Sequence, residues 1–399
     1  MKRIIFVIES MNIGGTEKAL LSMISEIPKD KYDMTILMLE NRGGFLGNIP
    51  NHIKVKCLDE YKVIEPVVRK SAKELVVQEI TERKYMQAIR TLFYYGISRI
   101  SGDYNVYFNN KIMNRIESLV DEYDIAVSYQ GPPSHFSAYL VSKKIKAKKK
   151  IQWIHSDVSK LNLDTKTTNK LYKNFDKIFI VSTEGKNKFD EMFPQLKNKT
   201  EVFINILSGN LINKQAEKKK GFSDNFDGIK ILTVGRLSGE KGQALTIPIL
   251  ARLKKEGYNV RWYCVGDGVL KEYYEEIIAD NNVQEDYLLL GNDSNPYPYF
   301  KECDIYVQPS KFEGYCITLA EARVFNKPIV ATNFVGAREQ LVNNETGFIV
   351  EYNEDEVFTA IKELINNKEI KNKFINNLKN ELVDTTKEMN KFYNIVDCI

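Results

Sequence analysis

Residues 304–322 read Asp-Ile-Tyr-Val-Gln-Pro-Ser-Lys-Phe-Glu-Gly-Tyr-Cys-Ile-Thr-Leu-Ala-Glu-Ala. The apolar run 304–308 predicts a buried strand, the loop that follows carries Glu313, and a helix is expected to start near Tyr315. The same order of strand, loop and helix recurs along nearly the whole chain. This alternation predicts parallel sheets covered by helices, and therefore an α/β protein.

The strand-like runs fall into two sets. The first set is 3–8, 34–39, 125–129, 151–154 and 178–181, and the second is 229–234, 260–265, 287–290, 304–308, 328–331 and 348–350. Two sets predict two doubly wound domains, residues 1–205 and 206–379, because the polar, breaker-rich stretch 205–228 lies between them. A basic, tyrosine-rich helical insertion is expected at about 60–120. A C-terminal helix at about 380–399 is expected to pack back onto the first domain.

Composition excludes several classes of protein. The 399 residues are 43% hydrophobic and 28% charged, which is typical of a globular protein and not of a disordered one. No apolar run approaches the ~18 residues of a membrane helix, and the basic-then-apolar start fits a first strand better than a signal peptide. The five cysteines are scattered, so we expect reduced thiols, a cytoplasmic location and no metal site.

The net charge of +4 hides an asymmetry. Residues 1–210 carry 33 Lys+Arg against 24 Asp+Glu, and the remainder carries 24 against 29. Six lysines lie in 141–150, and further basic residues are spread over 62–118. This excess predicts peripheral contact with an anionic membrane surface, although a solvated basic face explains it about as well. The aromatic-interleaved basic stripes of RNA-binding proteins are not evident, so no nucleic-acid partner is expected.

Two motifs in the first half follow predicted strands. Gly14, Gly15 and Thr16 precede a helix, so their backbone amides can approach a ligand; a tight strand-to-helix turn is the plainer alternative. His155 follows the strand 151–154, at the sheet edge where ligands of doubly wound domains bind. The alternative is a polar residue that ends the strand, with Ser156 or Asp157 capping the next helix.

Glycine-punctuated residues 235–242 follow the strand 229–234. They combine Gly235, the Arg236 guanidinium and the Lys241 ammonium beside a predicted helix start, which suits a diphosphate. The loop lacks the spacing of a Walker A motif. An ordinary basic surface loop is the alternative.

Glu313 and Glu321 give the most specific pattern in the chain. A helix that starts near Tyr315 places Glu321 about 9 Å along its axis, so the two carboxylates can hold different parts of one long ligand. Glu313 would accept hydrogen bonds from sugar hydroxyls, and Glu321 would bind a vicinal diol such as a ribose. Each glutamate taken alone fits an exposed charge better, and only their spacing in a loop–helix context favours a site.

With these motifs, the chain resembles the retaining nucleotide-sugar glycosyltransferases of family 4. The resemblance covers nearly the whole chain and is strongest over 235–350. Residues 313–321 match the E-x7-E motif of that family, and 235–242 match its phosphate-binding element. The segments 291–297, 336–339 and 345–348 are similar to its base-binding region and later landmarks. In the first half, 14–15 and 155–157 resemble its acceptor-side loop and cleft histidine.

The resemblance implies a GT-B fold, in which two doubly wound Rossmann-like domains face each other across a cleft. It implies that Glu313, Arg236, Lys241 and His155 are the catalytic residues and that Gly14, Gly15 and Thr16 lie on the acceptor side. The donor would contact Glu321, Gly235, Gly314, Tyr315, Cys316, Ile317, Thr318, Gly291 and Asn292. No dedicated nucleophile is needed and the chain has no Asp-x-Asp, so neither a metal nor another cofactor is expected.

The predicted activity is that of a retaining, metal-independent hexosyltransferase. The nucleotide-sugar donor, expected to be a UDP-sugar, would pass its sugar to a glycan or polyprenyl-linked acceptor in bacterial capsule, exopolysaccharide or cell-wall assembly. One alternative is a non-catalytic GT-B subunit that positions or stabilises a partner glycosyltransferase. Another is a different GT-B enzyme, such as an epimerase or a phosphorylase.

Overall fold

The computed structural model describes residues 1–61, 64–65, 70–132, 134–161, 163–381 and 383–398, without the side chains of 106, 109 and 115. Residues 62–63 and 66–69 of the predicted insertion thus lie outside the described part. The chain forms two compact units. The first unit contains Met1–Asn12, Ile24–Phe203 and Asn390–Ile399, and the second contains Ile13–Met23 and Ile204–Met389.

The first unit is built on a seven-stranded sheet in the order β3-β2-β1-β4-β5-β6-β7. The strands are β1 (Lys2–Ile8), β2 (Tyr32–Met38), β3 (Lys54–Cys57), β4 (Glu122–Ser128), β5 (Lys146–Ile154), β6 (Lys177–Ile180) and β7 (Thr200–Val202). All described pairings are parallel. Two strands escaped prediction because β3 is partly exposed and lysine-rich and β7 has only three residues.

The second unit is built on a six-stranded parallel sheet in the order β10-β9-β8-β11-β12-β13. Its strands are β8 (Ile229–Val234), β9 (Val260–Val265), β10 (Tyr287–Gly291), β11 (Ile305–Gln308), β12 (Ile329–Thr332) and β13 (Phe348–Val350). The direction of strand progression reverses between β8 and β11, which pair directly. Loops that leave the carboxyl ends of two such strands diverge and leave a crevice where ligands bind in doubly wound sheets.

Helices connect the strands of both sheets. They are α1 (Gly15–Ser25), α2 (Ala72–Thr81), α3 (Tyr85–Ser101), α4 (Tyr104–Lys111), α5 (Phe136–Lys143), α6 (Thr165–Tyr172), α7 (Thr183–Met192), α8 (Gly209–Ala216), α9 (Thr246–Lys255), α10 (Lys271–Asp280), α11 (Tyr297–Glu302), α12 (Ile317–Val324), α13 (Val335–Gln340), α14 (Glu354–Asn366), α15 (Lys368–Lys379) and α16 (Met389–Asp397). Within the described ranges, no helix is long and apolar enough to cross a membrane.

The helices α2, α3 and α4 occupy the region where an insertion was expected. They are joined by a buried ion pair, Lys111 Nζ to Glu79 Oε1 at 3.1 Å, with side chains only 3% and 5% exposed. The Thr91 hydroxyl donates to the other Glu79 oxygen at 2.6 Å. The Glu79 carboxylate is therefore both paired and hydrogen-bonded, as a buried charge must be.

The C-terminal residues also contribute to the first unit. The Phe392 ring of α16 stacks on Phe6 of β1 at 6.1 Å, and Tyr393 stacks on Tyr32 of β2 at the same distance. The Tyr393 hydroxyl donates to the Glu26 carbonyl at 2.8 Å. This end of the chain therefore fills part of the apolar surface beside β1.

The stretch 205–228 is more ordered than a polar linker. It contains α8, and beyond it the Gly221 and Phe222 amides donate to the Glu302 carboxylate at 2.8 and 3.1 Å. The Phe222 side chain is buried and packs 4.2 Å from the Tyr263 ring. The buried Phe222 therefore anchors this otherwise largely exposed stretch to the second unit.

Candidate active site

The loops after β8 and β11 meet at the switch point of the second sheet. Gly242 ends the first loop in the left-handed region, with φ of 72°. A Cβ atom at this position would lie 2.0 Å from the Pro309 carbonyl oxygen, so only glycine allows the two loops to approach this closely. This approach places Lys241 beside the loop that carries Glu313.

Lys241 and Glu313 form an ion pair between the two loops. The Ser310 hydroxyl donates to the same Glu313 oxygen at 2.9 Å. Burial is the largest single influence and lowers the pKa of Lys241, but the acidic groups around it, Glu313 foremost, together outweigh burial and raise that pKa. The lysine is therefore a permanent cation that Glu313 holds in place.

A chain of buried hydrogen bonds supports this pair. The Gln308 amide donates to the Ser310 hydroxyl at 2.8 Å, and Gln308 accepts from Thr318 at 2.9 Å and from Tyr306. The Thr332 hydroxyl donates to the Ser310 carbonyl. Because each polar group has a partner, the network fixes the position of Glu313 from the end of β11 to the start of α12.

The short connection from Glu313 to α12 has an unusual backbone. Cys316 precedes the helix with φ of 65°, a strained conformation for a residue with a side chain. The Gln340 amide of α13 donates to the carbonyls of Tyr315 and Cys316. A Cβ atom at Gly336 would lie 2.2 Å from the Tyr315 carbonyl oxygen, so α13 is pressed against this turn.

Burial determines the side-chain chemistry of this connection. Gly314, Tyr315 and Cys316 are buried, and Ile317 and Thr318 are half-buried. Burial raises the pKa of the Cys316 thiol to about 12, so the thiol is neutral and is not a nucleophile at ordinary pH. The helix starts at Ile317 and not near Tyr315, so Glu321 lies about 6 Å along the axis and not 9 Å.

Glu321 is completely buried on α12. Its Oε1 accepts the Tyr297 hydroxyl at 3.1 Å and lies 2.5 Å from the Lys18 ammonium. Its Oε2 has no hydrogen-bond partner among the described atoms. A buried carboxylate with one satisfied and one unsatisfied oxygen has the capacity to accept a further hydrogen bond from a ligand.

Arg236 and the glycines of the first motif lie in the second unit as well. Arg236 is exposed, and its carbonyl accepts the Gln243 amide at 2.9 Å. A Cβ atom at Gly14 would lie 3.6 Å from an Arg236 nitrogen and 2.5 Å from the Glu17 carboxylate. The Gly14 loop is therefore next to the predicted phosphate-binding guanidinium, and Gly15 and Thr16 begin α1 directly beyond it.

The remaining predicted residues lie at strand ends. Gly235 follows β8, and its amide donates to the Val265 carbonyl at 2.9 Å. Gly291 ends β10 with φ of 74°, and Asn292 after it is exposed. His155 lies in the first unit, directly after β5, with its ring 4.8 Å from that of Tyr129. Every other predicted site residue lies in the second unit.

The structure joins residues that sequence reasoning treated apart and adds others that it missed. Lys241 and Glu313, predicted for a phosphate and a sugar, are direct partners. Ser310 carried a signal that went unused, since it follows a strand at the ligand-binding edge. Lys18 and Gln340 carried no signal, and Tyr297, the last residue of the segment 291–297, carried none for contact with Glu321, because only the folded chain makes these contacts.

The known proteins that this chain resembles include several glycosyltransferases. Residues 213–381 match the family model "Glycosyl transferases group 1". An N-acetylgalactosamine-N,N'-diacetylbacillosaminyl-diphospho-undecaprenol 4-alpha-N-acetylgalactosaminyltransferase of Campylobacter jejuni is 32% identical over 211 residues, which are 52% of this chain and 56% of that protein. An uncharacterized glycosyltransferase of Haemophilus influenzae is 25% identical and covers 93% of this chain and 92% of its own. The chain spans about half the length of the first curated relatives that it matches.

A solved structure shows the same fold over the full length. Anabaena Alr3699/HepE in complex with UDP-glucose has a TM-score of 0.71 at 16% identity and covers 100% of both chains. The predicted α/β class, with two Rossmann-like parallel sheets of the GT-B type, is thereby confirmed. Residues 213–381, which hold nearly all of the site described above, are similar to the group 1 glycosyl transferases.

Proposed function

We propose that this protein is a glycosyltransferase that takes a sugar from a UDP-sugar. The acceptor would be a polyprenyl-linked or other glycan of the bacterial cell surface. One observation carries the proposal: Glu313, which pairs with Lys241 of the neighbouring loop, shares a loop–helix unit with the buried Glu321 carboxylate, one oxygen of which has no partner among the described atoms. A paired cation and a second carboxylate on the following helix, at a sheet switch point, suit a ligand that has both phosphates and hydroxyl groups.

Each residue has a proposed role in transfer. Arg236 and Lys241 offset the charge that develops on the departing diphosphate, which is an electrostatic contribution to catalysis. Glu313, with the backbone amides near Gly314, positions the transferred sugar, and Glu321 binds the ribose. His155 of the first unit contacts the sugar, and Gly14, Gly15 and Thr16 of the second unit border the acceptor. We propose that transfer retains the configuration of the sugar and needs no metal, because Arg236 and Lys241 supply positive charge for the diphosphate. The neutral Cys316 thiol is not a nucleophile in this scheme.

The named relatives support the choice of substrates. The Campylobacter protein is named for an acceptor on diphospho-undecaprenol, and the Anabaena structure holds UDP-glucose. The match to the Campylobacter protein covers 56% of that protein, and the Anabaena protein is 16% identical to this chain.

The test is transfer to polyprenyl-diphosphate-linked sugars from a panel of UDP-sugars. Lys241→Met is expected to lower kcat about 10²- to 10³-fold, the usual effect of losing one preorganised electrostatic group. Lys254→Met is the matched control, because Lys254 pairs with Asp286 at 2.8 Å in the same unit and contacts none of the site residues named above. UDP binding without transfer to any acceptor would favour the non-catalytic subunit. Absence of both UDP binding and sugar transfer would contradict the proposal.

We also propose that the first unit binds an anionic membrane surface, through α3 more than through the lysine run. Lys146 and Lys148–Lys150 belong to β5, and Lys146, Lys148 and Lys149 pair with Glu122, Asp124 and Asp176. These exposed pairs balance much of the charge that the sequence showed there. The lysine run by itself is therefore weak support for membrane contact.

The helix α3 turns an apolar face to solvent. Ala88, Thr91 and Ser98 are its buried side, whereas the exposed large apolar side chains recur at helical spacing: Tyr85, Met86, Ile89, Leu92, Phe93, Ile97 and Ile100. The segment has no acidic residue, and Arg90 and Arg99 flank the apolar stripe. Exposed apolar surface flanked by cations suits the interface of an anionic bilayer, where side chains enter the lipid and guanidinium groups remain at the phosphates.

A further inference from the structure

We infer that Lys18 is a positioning residue for the donor site: its ammonium holds one oxygen of Glu321, so that the other oxygen accepts a ribose hydroxyl. This inference rests on the proposed function, because it needs a nucleotide donor. Lys18 lies on α1, in the segment Ile13–Met23 that belongs to the second unit.

The contacts around Glu321 divide its two oxygens. Lys18 Nζ lies 2.5 Å from Oε1, which also accepts the Tyr297 hydroxyl at 3.1 Å. The ammonium lies 4.4 Å from the centre of the Tyr297 ring, so a cation–π contact holds it in the same place. Oε2 is buried and has no hydrogen-bond partner in the described part of the protein.

Charge explains why such a clamp is needed. Breaking a buried ion pair by removing one partner leaves an uncompensated buried charge, so a buried carboxylate needs a cation beside it. Lys18 is the cation that contacts Glu321 in the described structure. It therefore fixes the plane of the carboxylate through Oε1, which leaves Oε2 as the acceptor for a ligand.

Lys18 also lies close to the Gly14–Gly15 loop. The Lys18 amide donates to the Gly14 carbonyl at 3.0 Å, in the first turn that follows the Gly14–Gly15 loop. The loop near Arg236 and the residue that contacts Glu321 are thus one helical turn apart.

Discrimination between UDP and 2′-deoxy-UDP tests this role. By calorimetry, the wild type is expected to bind UDP about tenfold or more tightly than the deoxy analogue, because a hydrogen bond to a charged group is lost. Lys18→Met is expected to reduce this ratio to about threefold or less, and Lys18→Arg to restore most of it. ADP and GDP, each with its 2′-deoxy form, serve as probes if the base is not uracil.

A matched control separates positioning from general stability. Lys362 makes the same two kinds of contact, an ion pair with Glu256 at 2.6 Å and a ring contact with Phe358 at 5.7 Å. Lys362→Met is expected to leave the discrimination ratio unchanged. An undiminished ratio in Lys18→Met would overturn the role of Lys18 alone. A wild type that binds none of the diphosphates would overturn the proposed function, and this inference with it.

Discussion

Substitution of the two apolar residues Phe93 and Ile100 by serine should weaken binding to anionic vesicles about a hundredfold. Their side chains are 61% and 90% exposed. Full burial of such a side chain contributes roughly 1.5–3 kcal/mol, so the exposed fractions contribute about 3 kcal/mol together when the stripe enters lipid. Every 1.4 kcal/mol changes the affinity about tenfold.

The assay is flotation with vesicles of phosphatidylglycerol and phosphatidylcholine, at low and raised salt. Replacement of Arg90 and Arg99 by glutamine should cost about 1 kcal/mol for each cation, and only this loss should shrink at raised salt. Val120→Ser with Val269→Ser is the control, because these valines are equally exposed outside α3. Unfolding midpoints should be unchanged, since none of the replaced side chains is buried.

Three outcomes would refute the reasoning. Equal binding of wild type and the Phe93/Ile100 variant would show that the stripe does not enter lipid. If the wild type bound vesicles of phosphatidylcholine alone as tightly as the anionic vesicles, charge would have no role in binding. A wild-type dimer that the same substitutions dissociate, without vesicle binding, would assign the stripe to a second copy of the chain.

Further predictions concern stability, each measured by urea unfolding. Lys111→Met should lower the free energy of unfolding by about 3–5 kcal/mol, because it leaves Glu79 buried without its ion-pair partner. The double variant Lys111→Met with Glu79→Leu should recover most of this loss, and no recovery would contradict the argument. Gly242→Ala should lower the free energy of unfolding clearly more than Gly257→Ala. Both glycines have positive φ, but only a Cβ atom at position 242 would clash with backbone atoms. Equal losses would exclude the clash. Burial lowers the pKa of His135 from 6.5 to about 4, so the folded state disfavours protonation, and stability present above pH 6.5 should fall by about 3 kcal/mol as the pH drops to 4. His135→Asn should remove this pH dependence.

Prediction from sequence succeeded where the chemistry is local. The strands β1, β8, β9 and β11 were found within one or two residues because their apolar runs are buried on both faces of a parallel sheet. The strand β5 was predicted five residues too short at its start, since the lysine-rich residues Lys146–Lys150 interrupt the apolar pattern. Cross-strand partners such as Asp124 stabilise those lysines in the strand, and no local pattern shows them.

The candidate site divides in the same way. The spacing of Glu313 and Glu321 and the pairing of Arg236 with Lys241 on one loop follow from the sequence, because each motif lies within a single loop and helix. The ion pair of Lys241 with Glu313 joins positions 72 residues apart, and that of Lys18 with Glu321 joins residues about 300 apart. Such contacts depend on which strands are neighbours in the sheet.

The sequence by itself determined the α/β class, the two sets of strands and the loops that carry the charged groups. Those features depend on apolar periodicity, glycine and local charge, which are properties of neighbouring residues. Only the tertiary structure decided that one oxygen of Glu321 is satisfied and the other is not, and that the apolar side of α3 faces solvent. Burial and pairing are relations between distant segments, so they exist only once the chain has folded.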